Sequence, residues 1–495
     1  MLYQSTRGGN DRQTAAQVIT RGIAGDGGLY VPESIPRLTA EDIDMLIDTP
    51  YPERAAYTMG LFLDGYGKDE ILDYTRAAYA TPKFDDPAVA PLYKLGKGTF
   101  FLELWHGPTC AFKDMALQVL PQLLTSAMRK TGVDREVCIL VATSGDTGKA
   151  ALEGFKDIPG TKIMVFYPRD GVSGVQKLQM TSQEGNNVGV VAVEGNFDDA
   201  QTGVKAIFAD ECFSRELSGS GYILSSANSI NWGRLVPQIA YYVSSYCDLL
   251  AAEELKPGDK VNFCVPTGNF GNILAAYYAL KMGLPIGKLI CASNRNDVLT
   301  QFFGEGVYDK NRQFHTTASP SMDILVSSNL ERLLFELSNK DGAAVSSYME
   351  QLSSRGRYTV SPEFESAAGE VIAGGSCGEE DTFATIADTY NERRYLIDTH
   401  TAVAYKVMLD YRNRTGDDTP TIVVSTASPY KFCDSVLRAL GKPADHDGVG
   451  LIDELAELTS CQPPGPLASL KGKTPRFTDS VEPTGMKAAV KGILA

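Results

Sequence analysis

At 495 residues the chain exceeds the roughly 100 to 200 that one core usually supports, so two or three domains are expected. Hydrophobic residues at 43% and charged residues at 22% provide for sizeable cores and argue against extended disorder. A formal charge of -15, with no Lys/Arg block, repels nucleic-acid backbones and anionic membrane surfaces, yet leaves room for a locally positive pocket that takes a small anion.

In chain order, the opening MLYQSTRGGN carries no apolar signal core, and no later run approaches the roughly 18 apolar residues of a membrane span. A cytoplasmic protein with neither membrane nor nucleic-acid partners is expected. Residues 1–95 hold the helical segments AAQVITRGIA and AEDIDMLID among DGG, PES and further prolines, which reads as an N-terminal mainly helical domain. After Phe100, β-branched runs alternate with Gly- or Ser/Thr-rich loops and helix-period segments, the pattern of an α/β fold with parallel strands.

The clearest strands are Val137 to Ala142, Lys162 to Tyr167, Val188 to Val193, Val261 to Val265, Leu289 to Ala292 and Thr421 to Ser425. We expect a first α/β lobe over 96–240 and a second over 241–495, with an insertion near 300–380 holding the helical ILVSSNLERLLFELSN and a flexible AGGSCGEED. Ligands bind beyond the carboxyl ends of such strands. Nine Cys without a CxxC pair, among them Cys138, Cys264 and Cys291 in apolar runs, read as reduced core thiols, and four His with no two at ligand spacing give no metal site.

Five segments could carry chemistry. In HGPTCAFKDMALQ, Lys113 stands at a helix start, where the helix dipole disfavours its charge and so favours the neutral amine that condenses with aldehydes; an exposed lysine beside a capping Asp114 is the plainer account. Ala116, Leu120, Leu123 and Ala127 continue the helical spacing, with a bend expected at Pro121. ATSGDTGKAAL follows a strand and offers Ser144, Gly145, Asp146 and Thr147 to a carboxylate, or simply caps the next helix. SSANSINWGR supplies Asn228, Ser229, Asn231 and Arg234, donors that suit a phosphate or a polar loop.

In VPTGNFGN, Gly268 and Gly271 let backbone N–H groups converge on an anion at a helix start; it is neither a GxxxxGK[ST] nor a GxGxxG loop, and a plain turn is the alternative. In VVSTASPYKF, Thr426 ends a buried-looking strand, where its hydroxyl could face a ring nitrogen or merely begin a helix opened by Pro429.

Taken in order, STRG, DGGLYVP, HGPTCAFKD, TSGDTG, GVSGVQKLQM, EGNFDDAQ, SANSINWGR, PTGNFGN and STASPYKF resemble the threonine synthase family, within the tryptophan-synthase-β-like, fold type II pyridoxal-phosphate enzymes. The resemblance runs to about residue 435. It implies two open parallel-sheet lobes with pyridoxal 5'-phosphate between them. It implies that Lys113 forms the Schiff base with the cofactor, that residues 268–272 hold its phosphate, and that Thr426 meets its pyridine nitrogen. Ser144 to Thr147 would meet the substrate, and Asn228, Ser229, Asn231 and Arg234 would hold the substrate phosphate. Many relatives acting on serine carry Asn where Asp146 stands. The implied reaction, the last step of threonine biosynthesis, converts O-phospho-L-homoserine and water into L-threonine and phosphate, in a monomer or homodimer. No large regulatory domain is expected ahead of STRG.

Overall fold

The structure is a computed structural model, which describes residues 1–143, 145–169, 172–442 and 448–494. Its strands, in chain order, are β1 (Tyr3–Ser5), β2 (Tyr30–Pro32), β3 (Leu92–Gly96), β4 (Thr99–Glu103), β5 (Glu136–Ala142), β6 (Thr161–Pro168), β7 (Val188–Val193), β8 (Tyr222–Ser225), β9 (Val261–Pro266), β10 (Ile286–Ser293), β11 (Val307–Asp309), β12 (Arg357–Thr359), β13 (Ile372–Ser376), β14 (Thr421–Ser425) and β15 (Ser480–Val481). All six strands expected from sequence are present, most of them a residue or more longer.

Two sheets carry the architecture. One is five-stranded, in the order β15-β7-β6-β5-β8, with every pairing parallel. The other is six-stranded, in the order β13-β10-β9-β14-β4-β3, parallel except for the antiparallel edge strand β3. The inner strands β6, β7, β9 and β14 are mainly apolar and almost entirely buried, as strands covered on both faces must be. The chain is an α/β protein with two parallel-sheet lobes.

The sheets share strands across the linear divisions at 95 and 240. Strands β3 and β4 lie in the sheet built mainly from residues 261–425, while β15 and the helix Met486–Leu494 return to the sheet of residues 136–225. The division into 1–95, 96–240 and 241–495 thus remains a proposal about domains, and it does not coincide with membership of the two sheets. One apolar cluster joins Tyr3, Tyr30, Phe62 and Trp232 to Tyr278 and to residues of both sheets. The first 80 residues are mainly helical, and two of their helices open with capping boxes, Thr14 with Gln17 and Thr39 with Asp42.

Two local expectations need correction. The bent helix through Pro121 is instead two helices, Asp114–Leu117 and Leu120–Lys130, with Pro121 in the first turn of the second, where a missing N–H breaks no helical bond. Of the AGGSCGEED run expected to be flexible, residues 373–376 belong to the edge strand β13, parallel to β10, and Glu379 to Asp381 open the helix Glu379–Arg393. Its glycines serve packing: a Cβ on Gly375 would lie 2.6 Å from Val407, and one on Gly374 would lie 3.1 Å from the Thr300 backbone.

The N-terminal motifs knit the fold. Arg7 pairs with Glu331 at 3.0 Å, and Thr6 donates to the same carboxylate. Arg332, fully buried, donates to the carbonyls of Tyr30 and Ile230 and to the side chain of Asn329.

Candidate active site

Lys113 caps the short helix Asp114–Leu117 and is 9% exposed, so it is not the solvent-facing lysine of the plainer account. Asp114 does act as a cap of its own loop: Thr109 donates to it from both N–H and hydroxyl, at 2.8 Å each. Those two bonds hold the HGPT turn ahead of Lys113. Its Nζ lies 3.5 Å from Oδ2 of Asp146, 3.4 Å from Oγ of Ser321 and 4.8 Å from the centre of the Phe112 ring. Burial lowers the lysine's proton affinity, as do the charges of Lys431 and Arg234, against the opposing pull of Asp146. A larger neutral fraction is what a nucleophilic amine requires.

Asp146 opens the helix Asp146–Phe155, after Gly145 at φ 141. Gly145 is a positional requirement, since a Cβ there would sit 2.6 Å from the amide of Gln176. Gln176 donates to Oδ1 of Asp146 at 2.8 Å, and Lys431 lies 3.0 Å from the same oxygen. Despite full burial, the two lysines and the Gln176 amide hold Asp146 ionised, well below the usual carboxylate range. Thr147 is half-buried, and Ser144 lies outside the described residues.

The 268–272 loop leads from β9 into the helix Gly271–Met282. The residue in the left-handed region is Phe270, at φ 64, rather than either glycine. Gly268 is required for a different reason: a Cβ on it would stand 2.4 Å from the carbonyl oxygen of Ser321. Ser321 thus touches the loop with its backbone and approaches Lys113 with its hydroxyl. Residues 327–329 brace the same turn, because Ser327 donates to the carbonyl of Gly268 at 2.6 Å and Asn329 donates to that of Asn269 at 3.0 Å.

Asn272 is buried at the helix start. The hydroxyls of Tyr241 and Tyr242 meet its Oδ1, whereas its Nδ2 has no hydrogen-bond partner within the protein. A buried amide donor without a partner, at a helix N-terminus beside glycine-spaced N–H groups, is a donor set for an anion. Thr426 follows β14, and its carbonyl accepts from Phe112 N–H at 2.8 Å, which ties the end of that strand to the segment carrying Lys113. Residues 111 and 427 also form a backbone bridge.

The SSANSINWGR residues divide. Arg234 is 3% exposed and donates to the carbonyl of Ala227, while its Nε lacks a protein partner and its charge reaches Lys113. Asn231 is occupied by the fold itself, because its Oδ1 accepts from Gly233 N–H to cap the helix Trp232–Ala251 and its Nδ2 donates to the carbonyl of Ile19. Asn228 is exposed and Ser229 half-buried.

Sequence reasoning missed Ser321, His400, Gln176 and Lys431. The segment near 300–380, read as an insertion, delivers Ser321 to Lys113. His400, at the start of the helix Thr399–Thr415, accepts from Ser321 N–H at Nε2 (3.2 Å), with its Nδ1 on Asp398 at 2.9 Å. Gln176 and Lys431 stood inside motifs quoted for the resemblance, but a side chain aimed at a carboxylate 30 or 285 residues away leaves no local signature.

A buried lysine of lowered basicity and a glycine-containing turn at a helix start, bridged by Ser321, are the groups that a pyridoxal-phosphate-dependent enzyme requires. Residues 74–427 match the pyridoxal-phosphate dependent enzyme family. Residues 2–79 match the threonine synthase N terminus, and residues 401–474 match the threonine synthase C-terminal domain. The threonine synthase of Pseudomonas aeruginosa is 42% identical over 443 residues, which cover 89% of this chain and 90% of that protein. The pyridoxal-phosphate-bound threonine synthase of Brucella melitensis superposes with a TM-score of 0.89 at 38% identity, covering 100% of this chain and 99% of that one. The yeast threonine synthase gives 0.88 at 32% identity, over 100% and 98% of the two chains. The chain belongs to the threonine synthase family, with pyridoxal phosphate as cofactor.

Proposed function

We propose that the protein converts O-phospho-L-homoserine and water into L-threonine and phosphate, as a cytoplasmic monomer or homodimer. The observation that carries this reading is the buried Lys113 amine, of lowered proton affinity, joined to the 268–272 loop through one residue, Ser321. When bound, pyridoxal phosphate supplies an aldehyde that condenses with amines and a ring that draws electrons from the substrate carbon.

In this reading the N–H groups of Gly268 to Asn272, with Nδ2 of Asn272, hold the cofactor phosphate, and Thr426 presents its hydroxyl to the pyridine nitrogen. Lys113 is the residue that would hold the cofactor through its amine; when free, that nitrogen removes the Cα proton and, once protonated, returns a proton later in the reaction. Asp146 and Ser321 keep that nitrogen in place while it is free. The backbone N–H groups of Gly145, Asp146 and Thr147 meet the substrate carboxylate, together with Ser144. Arg234, whose guanidinium has a donor to spare, is the strongest candidate for the substrate phosphate; Asn228 and Ser229 flank it, and Asn231 serves by holding the helix that carries it.

No helix among the described residues is long and apolar enough to cross a membrane. Incubating the holoenzyme with O-phosphohomoserine and identifying the products tests the proposal. Threonine with equimolar phosphate is expected; predominant 2-oxobutyrate and ammonia would mean elimination without water addition and overturn it.

A further inference from the structure

Lys431 lies just beyond Thr426, in the turn Pro429–Lys431, and is 1% exposed. An ammonium group has three N–H donors. Here they meet three acceptors: the carbonyl of Thr109 at 2.8 Å, Oε1 of Gln179 at 3.0 Å and Oδ1 of Asp146 at 3.0 Å. With every donor taken and no surface free, the side chain cannot bind substrate. It instead joins the loop before Lys113, the helix Gly174–Thr181 and the start of the helix Asp146–Phe155 at one point.

The carboxylate of Asp146 is correspondingly divided. Its Oδ1 takes Lys431 and Gln176, which leaves Oδ2 directed at Lys113. We propose that Lys431 is a positioning residue for the reaction: it fixes the orientation and charge of Asp146, so that Oδ2 holds the nitrogen of Lys113 at the reacting carbon whenever that nitrogen is free. The charged groups acting here are Lys113, Asp146 and Lys431 themselves, Arg234 from the helix Trp232–Ala251, and Asp114, whose carboxyl the charge of Lys431 lowers against the larger effect of burial.

The inference rests on Lys113 being the reactive amine, and borohydride reduction of the holoenzyme tests that assignment separately. The experiment measures kcat and KM across pH, cofactor content and the pH titration of the visible absorbance band for holoenzyme bearing Lys431→Met, Asp146→Asn or both. For Lys431→Met we expect cofactor content to be kept, KM to move less than about threefold and kcat to fall by about 10- to 100-fold, as slight misplacement of a reacting group does. Loss of a nearby positive charge also moves the acid limb of kcat and the absorbance midpoint to higher pH. Within Asp146→Asn, adding Lys431→Met should lower kcat by less than about threefold, a non-additive pair. An unchanged kcat or acid limb in Lys431→Met, or an equal loss in both backgrounds, overturns the proposal. If Lys431→Met does not fold, the comparison within Asp146→Asn decides alone: no further loss supports it and a tenfold or larger loss overturns it.

Discussion

The hydroxyl of Ser321 stands 3.4 Å from the amine of Lys113, across 208 residues of chain. The Ser321 carbonyl meanwhile fills the space where Gly268 would carry a Cβ. One residue of a segment read as an insertion therefore sets the distance between the amine and the 268–272 loop, and substitution can probe each part of that arrangement.

Borohydride reduction of the holoenzyme should leave the cofactor fixed to Lys113, as a mass increase that survives denaturation. Lys113→Ala should fold, bind cofactor without a covalent link and show no such increase. A mass increase on another residue in wild type would displace Lys113 from its role.

Gly268→Ala places a methyl group 2.4 Å from the Ser321 oxygen, so the turn or the serine must move. Overpacking of this kind costs about 1 to 3 kcal/mol. A lower melting temperature and a raised cofactor Kd are expected together, and equilibrium titration with pyridoxal phosphate measures the second.

Asn272→Asp keeps an oxygen for the two tyrosine hydroxyls but replaces the partnerless N–H2 with an acceptor. Loss of a hydrogen bond to a charged group costs about 1.5 to 3 kcal/mol, so cofactor affinity should weaken by about tenfold or more. Unchanged affinity would remove Asn272 from the phosphate cradle.

Asp114 supplies a pH dependence that needs no substrate. Burial pushes its carboxyl up to about 6, although Thr109 donates to it twice. Because the folded form binds this proton more tightly than the unfolded chain, the group's contribution to stability is complete below about pH 4 and is lost as pH rises through about 6. Wild type should therefore lose about 1 to 2 kcal/mol relative to Asp114→Asn between about pH 5 and 8. Melting curves of both proteins at the two pH values check the sign.

Asn231→Ala removes the cap of the helix Trp232–Ala251 and the donor to Ile19, at a cost of about 1 to 2 kcal/mol. The melting temperature should drop while KM stays near wild type. A KM effect with full stability would restore Asn231 to the substrate phosphate.

The placement of Lys113 at a helix start and of residues 268–272 between a strand and a helix was legible in the sequence because both lie in short runs whose signals are local. Strands were legible for the same reason: β6, β7, β9 and β14 each hold a short, mainly apolar run. The reason for each glycine was not legible, because Gly268 answers to a carbonyl 53 positions away and the left-handed turn fell on Phe270. Asn231 looked like a ligand because cap residues and phosphate ligands draw on the same side chains. Lys431, Ser321 and His400 act through neighbours brought in by tertiary folding, and a lone lysine, serine or histidine carries no periodic pattern.

The pairing of β4 with β14 joins Thr99–Glu103 to Thr421–Ser425, and Lys113 and Thr426 each follow one of those strands. Neither half of the chain can assemble the pocket alone, so a nascent or cleaved polypeptide should stay colourless until its most distant stretches have met. Yellow colour then becomes a direct gauge of completed folding, and the vitamin B6 cofactor, which only the assembled pocket can hold, should protect the folded protein against unfolding.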